Sequence, residues 1–269
     1  MDKKQILLTN DDGIQSPGLW AAAEALSALG FVHVVAPVQQ WSGAGRSLPS
    51  NSDGVIVPQI LTVHGKAWTV YGVGGTPAQA VLHGLLEIVP VTPDLVVSGI
   101  NYGENPGEGI TVSGTVGAAM EAASNGIPAL AISLETDPAH YLSHSNEVDF
   151  TAAGHFTRLF GQILLERRLP PDVDVLKVEV PMQATPQTPW AMTRLSRQRY
   201  FVSYKPQRST WQQPVKFPYA RREDFSNEAE DTDSYVLRVR RQVAVTPLSL
   251  DLTSRVDLQD FGDMLGKLT

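Results

Sequence analysis

A chain of 269 residues, 42% hydrophobic and 18% charged, is long enough for one α/β domain with an extension, or for two domains. Its net charge of −7 argues against non-specific binding to duplex nucleic acid or to an anionic membrane surface, while leaving a nucleotide acceptable as a small substrate if a cation supplies positive charge. The absence of cysteine excludes disulfides and thiolate metal sites, and no apolar run approaches the ~20 residues of a membrane span. Charged residues 1–5 lead straight into an apolar run, with no room for a signal peptide, so a soluble cytoplasmic protein is expected.

Residues 6–9 read as a short buried strand ending in Asn10-Asp11-Asp12-Gly13, after which Ser16 as N-cap and Pro17 at the first helical position open a helix. Asp11 and Asp12 thus lie past the carboxyl end of a strand, the edge at which open α/β sheets bind ligands. Adjacent carboxylates repel unless a cation or proton separates them; a hard divalent metal suits the pair, and capping of a turn is the plainer alternative. Leu19, Ala23, Leu26 and Leu29 recur at helical spacing, Gly30 ends the helix, and residues 31–36 form a second strand. The resulting β-α-β unit implies parallel strands, and its first loop lacks the G-x-G-x-x-G of dinucleotide sites. The loop at 38–49, with Trp41-Ser42-Gly43-Ala44-Gly45-Arg46, emerges on the same edge, and 55–63 with 67–73 form a hairpin turning at His64-Gly65.

Thr76-Pro77 starts the next helix, which runs to about residue 89. Strand 95–97 then delivers Ser98-Gly99-Ile100-Asn101-Tyr102-Gly103-Glu104-Asn105 to the same edge. Ser113-Gly114-Thr115 opens a helix whose free N–H groups suit an anion, or simply cap the helix. Strand 129–134 follows, then an amphipathic helix bearing Phe150, Ala153, Phe156, Leu159, Phe160 and Ile163, and strand 175–180. From 181 to about 233 Pro, Gln, Arg and Thr dominate; so polar a stretch reads as an arm, mobile or ordered by a partner subunit, with a strand-like patch at 199–204. Residues 235–239 and 243–246 read as strands and 258–268 as a tail helix, which divides the chain into a core at 1–180 and an extension at 181–269.

Taken together, Leu8-Thr9-Asn10-Asp11-Asp12-Gly13-Ile14 with Ser16-Pro17-Gly18, Ala36-Pro37 with Ser42-Gly43-Ala44, Gly75-Thr76-Pro77, Ser98-Gly99-Ile100-Asn101 with Gly103 and Asn105, Ser113-Gly114-Thr115, Asp231-Thr232-Asp233 and Val245-Thr246-Pro247-Leu248 resemble the SurE family, in order and over nearly the whole chain. The resemblance implies a three-layer Rossmann-like α/β core with a mainly parallel sheet and a homodimer or homotetramer built by exchanged C-terminal segments. It also implies metal-dependent phosphatase activity on nucleoside 5′- or 3′-monophosphates. By the same resemblance Asp11, Asp12, Ser42 and Asn101 ligate one divalent metal per subunit, and Asn10, Asn105 and the Ser113-Gly114-Thr115 turn contact the phosphate, with Asp11, Asp12 and Asn10 catalytic.

Two carboxylates, a hydroxyl and an amide oxygen make an all-oxygen donor set, suited to Mg²⁺ or Mn²⁺ and incomplete enough to admit water and a phosphate oxygen. Attack by water and a phospho-aspartate intermediate both fit. The chain departs from the family pattern at Ala78-Gln79-Ala80, where Ala-Asp-Cys is common, at Gly45-Arg46, and at Lys177-Val178-Glu179, where Asn-x-Asn is usual. Tyr102 and Trp41 flank proposed ligands and either stack on a base or cover a rim. His33 and His155 read as structural, and His140 with His144 as weak metal evidence. The Arg194–Arg199 cluster, Arg221-Arg222, and Arg238, Arg240 and Arg241 read as solvated or subunit-contacting residues. A haloacid-dehalogenase-type phosphatase needs Asp-x-Asp instead of an adjacent pair. A noncatalytic nucleotide-binding or scaffold protein is the alternative from another class.

Overall fold

Ile6, Leu7 and Leu8 are consecutive and all fully buried, which a strand achieves only in a sheet covered on both faces. The computed structural model describes residues 3–141, 144–145 and 147–266. In chain order they form β1 (Gln5–Thr9), α1 (Pro17–Leu26), β2 (Phe31–Pro37), β3 (Ile56–Val63), β4 (Lys66–Val73), α2 (Pro77–His83), β5 (Leu95–Tyr102), α3 (Gly114–Ser124), β6 (Ala129–Leu134), α4 (Thr151–Glu166), β7 (Val175–Val180), β8 (Trp190–Met192), β9 (Phe201–Ser203), β10 (Tyr219–Arg221), α5 (Asp233–Arg238), β11 (Val243–Leu248) and α6 (Leu258–Gly266).

Nine strands make one sheet in the order β3-β4-β2-β1-β5-β6-β7-β11-β8. β4, β2, β1, β5, β6 and β7 are mutually parallel, so their carboxyl ends share one edge. The hairpin strand β3 is antiparallel to β4, and β11 is antiparallel to β7. Ile6 and Leu8 face α1 and α4 through Leu19, Leu26, Phe156 and Phe160, while Leu7 faces α2 and α3 through Ala80, Val81, Val116 and Ala119. Full burial of each Leu, Ile or Phe contributes about 1.5–3 kcal/mol. These two apolar layers therefore hold the three-layer α/β architecture that the sequence predicts. Among the described residues no helix is long and apolar enough to cross a membrane.

The β3–β4 turn has both His64 and Gly65 at positive φ, as a tight hairpin demands. Three expectations need correction. Residues 235–239 are not a strand: the Thr232 hydroxyl caps the amide of Tyr235, and adjacent Val236 and Leu237 are buried in α5. Ser16 stands at the N-cap of α1, but its hydroxyl makes no capping bond. The stretch from 181 to 233 is not wholly an arm awaiting a partner, because Ser196, Tyr200, Phe225, Glu228 and Thr232 are buried within this chain. Its middle does protrude, with Trp211 87% exposed. The tail helix α6 has no buried residue.

Candidate active site

The loop after β1 is shaped by Asn10. Its side chain donates to the Gly13 carbonyl at 3.1 Å and accepts the Gly13 N–H at 3.2 Å, closing a turn from which Asp11 and Asp12 project. Asn10 is fully buried and spends its amide on this turn.

Asp11 sits at the N-terminus of α3, where the Thr115 hydroxyl donates to Oδ1 at 2.5 Å and the nearby amides of Gly114 and Thr115 favour the charged carboxylate. Gly114 makes this approach available, since a Cβ there would lie 2.7 Å from the Asp11 Cβ. Asp12 accepts Gln40 Nε2 at 2.9 Å and the Tyr102 N–H at 3.0 Å, and its carbonyl accepts a ring N–H of His144 at 2.7 Å. Burial raises the Asp11 pKa to about 6, against the opposing hydrogen bonds from Thr115 and the α3 amides. Burial, then the adjacent Asp11 charge, holds Asp12 well above the ordinary carboxylate range. Two carboxylates kept this way constitute a site of high affinity for positive charge.

The remaining predicted residues converge on the same place. Asp11, Ser42, Asn101, Asn105 and Ser113 line one cavity of about 720 Å³ at the carboxyl edge of the sheet. Ser42 is exposed on the loop after β2, and the neighbouring Trp41 N–H bonds the Asp11 carbonyl at 2.7 Å. Asn101 donates its amide nitrogen to the Gly103 carbonyl at 2.6 Å, which presents its amide oxygen as the acceptor. Asn105 donates to Ser133 Oγ at 3.1 Å. The Ser113 hydroxyl accepts the Val116 N–H at 3.1 Å, leaving its proton to donate. Asp12, Asn10, Gly114 and Thr115 are buried behind the cavity wall instead of lining it.

An aromatic part of the lining was not foreseen. Tyr141, Tyr200, Phe201 and Tyr219 form it, and three of these come from the polar stretch after residue 181. Phe201 meets Tyr141 and Tyr219 edge-on at ring separations of 6.4 and 5.8 Å. Buried Glu104 underlies them, accepting the hydroxyls of Tyr200 at 2.8 Å and Tyr141 at 3.2 Å and pairing with Arg221 at 3.1 Å. The one signal in the sequence was the cluster of aromatics in an otherwise polar segment.

Several arginines read as solvated instead neutralise buried acids: Arg238 and Arg241 pair with Glu135, and Arg222 pairs with Glu228. Arg194 and Arg240 form exposed pairs with Asp231 and Glu230. Tyr102 is 3% exposed, its hydroxyl on the Ser145 carbonyl and its ring against Phe150, so it has no open face for a base.

Residues 6–202 match the family described as Survival protein SurE. The chain belongs to the SurE family. It is 42% identical over 266 residues to 5′-nucleotidase SurE of Thermococcus kodakarensis, an alignment covering 97% of this chain and 98% of that protein. The 5′-nucleotidase SurE of Thermococcus gammatolerans is 43% identical, with 97% and 96% covered. The crystal structure of the SurE protein from Aquifex aeolicus matches with a TM-score of 0.74 at 31% identity, over 97% of this chain and 99% of that one. Two departures from the SurE pattern acquire local reasons. Gln79 completes a capping box with Thr76, and Arg46 ties its loop to α3 through Glu121 at 2.7 Å. SurE proteins generally depend on a divalent metal. The buried Asp pair with neighbouring hydroxyl and amide oxygens fits a hard cation of that kind. Among the described residues no group of three or more His, Cys, Asp or Glu forms a rival metal cluster.

Proposed function

We propose that this protein is a divalent-metal-dependent phosphomonoesterase that hydrolyses nucleoside 5′- or 3′-monophosphates to nucleoside and phosphate. The observation that carries the reading is the buried Asp11–Asp12 pair, of which Asp11 lines a cavity that also has an aromatic lining. Asp11, Asp12, Ser42 and Asn101 would hold Mg²⁺ or Mn²⁺, which when bound supplies Lewis acidity toward phosphate oxygens.

The chain's own residues divide the remaining work. Thr115 and the α3 amides fix Asp11, and Gln40 with the Tyr102 N–H fixes Asp12, so neither carboxylate must reorganise as charge develops. Ser113 and Asn105 offer donors to phosphate oxygens in the same cavity. Phe201, Tyr141 and Tyr219 provide apolar faces for a nucleobase, and Arg199, paired with Glu108 at 3.3 Å, adds a cation at the mouth. Assembly as a homodimer or homotetramer belongs to the same reading, supported by the protruding stretch around Trp211 and by the fully exposed α6.

The test is phosphate release from a panel of nucleoside 5′- and 3′-monophosphates after chelation and readdition of single metals. Release restored by Mg²⁺ or Mn²⁺ is expected. Nucleotide binding without release under every metal would favour the noncatalytic alternative.

A further inference from the structure

β7 carries two charged side chains, Lys177 and Glu179, two residues apart and fully buried in the sheet. Buried charge is tolerated when it is paired and hydrogen-bonded, and here the bonding is complete. Lys177 Nζ donates to Asp233 Oδ2 at 2.9 Å, to the Asn105 carbonyl at 3.0 Å and to Glu179 Oε1 at 3.4 Å. Glu179 Oε2 accepts the Asn105 N–H at 2.9 Å. Asp233 Oδ2 also accepts the Gly107 N–H at 2.8 Å, and its Oδ1 takes the amides of Ser196 and Ser234 at 3.0 and 2.8 Å. Burial alone would lower the Lys177 pKa, but Asp233 and Glu179 outweigh it and hold the ammonium charged.

Both main-chain polar groups of Asn105 are therefore gripped by β7, its side chain is held by Ser133 on β6, and Gly107 is held by α5. We propose that Lys177 is a positioning residue for the reaction. It acts through the Asn105 main chain to set segment 105–107 against the cavity, and it makes that placement depend on α5. Stability alone is a poor account of the arrangement, because a buried ion pair is commonly replaced by apolar residues at little or no cost. What an apolar residue cannot do is bond simultaneously to a neighbouring loop carbonyl and to a carboxylate on a third element.

The inference rests on the nucleotidase reading of the cavity, and the experiment separates the two. Lys177→Met combined with Glu179→Gln removes charge of both signs and leaves Asp233 with three amide donors. With protein confirmed folded by circular dichroism, kcat should fall about 10-fold or more, since small misplacements at a site cost up to about 100-fold. Mn²⁺ affinity by calorimetry should stay at the parent value, because the network makes no contact with Asp11 or Asp12. Asp233→Asn, which weakens the Lys177 tie to α5 while keeping an acceptor oxygen for the Gly107 N–H, should lower kcat in the same direction and serves if the double variant does not fold. A lowered melting temperature with kcat within about twofold of the parent overturns the positioning role. A parent that releases no phosphate with any metal overturns the nucleotidase reading, and this inference with it.

Discussion

Thr115 spends its hydroxyl on Asp11, which gives it the role of shaping the carboxylate proposed to hold the metal. Thr115→Val should then lower the melting temperature and weaken Mn²⁺ binding, with losses of about 1.5–3 kcal/mol for a hydrogen bond to a charged group. Calorimetry with Mn²⁺, beside inhibition by inorganic phosphate, reads the difference. A residue bonding phosphate directly would instead lose phosphate affinity and keep the metal. Asp11 itself offers a sign test. Its folded pKa of about 6 lies above the ordinary aspartate value of 3.8, so the folded state holds the proton more tightly than the unfolded one. The stability this contributes is present in full below pH 3.8 and is lost as pH rises through about 6. Asp11→Asn should therefore melt higher than chelated parent protein at neutral pH, with the gap closing toward pH 4, and should show nearly abolished turnover. An equal melting temperature at all pH values would mean that Asp11 is not strained by burial. Near-parental hydrolysis would remove it from the site.

At the scale of elements, α3 gives up helix propensity to bring its N-terminus against Asp11. Gly114→Ala places a Cβ 2.7 Å from the Asp11 Cβ and should cut kcat/KM sharply. Gly154→Ala in α4 meets its nearest atoms at 3.8 Å and should instead stabilise by about 0.4–1 kcal/mol with activity unchanged. Steady-state kinetics and melting curves on the pair distinguish a steric demand from mere helix preference. The alternation of strand and helix was legible from residue 6 to residue 180 because short apolar runs bounded by turn signals mark the strands, while caps and helically spaced apolar residues mark the helices. The six-residue α5 is too short for that, so apolar Tyr235, Leu237 and Val239 imitate a strand; the Thr232 cap was the signal that decides it. Asp11, Ser42, Asn105 and Ser113 were legible as loop residues on one edge; Asn101, read as lying beyond a strand that ends at 97, is instead within β5, and all five line one cavity. The Lys177–Asp233 bond and the Glu104–Tyr200 bond were not legible, since each joins residues remote in sequence through side-chain reach that no local pattern encodes.

For the molecule as a whole, the extension plays two parts. Tyr200, Phe225 and Asp233 are buried against the chain's own core, whereas Trp211, Phe217 and α6 present apolar surface outward. Replacing residues 205–217 by a short turn, with β9 and β10 retained, should reduce the mass seen by light scattering while leaving the melting of the core nearly unchanged. An unaltered mass would show that this stretch is not what joins subunits.

The pairing of β11 with β7 has a temporal side. A ribosome that has delivered residue 180 has released β7 without its neighbour and Lys177 without Asp233. The next 68 residues, up to Leu248 at the end of β11, take roughly 3–14 s at about 5–20 residues per second. Throughout that interval the nascent chain exposes an open sheet edge, a template for pairing with other strands. Segment 105–107 is not yet anchored on its α5 side. Maturation of the site is thus coupled to synthesis of residues 233–248: the later strand caps the vulnerable edge, and α5, made just before it, secures the cavity wall.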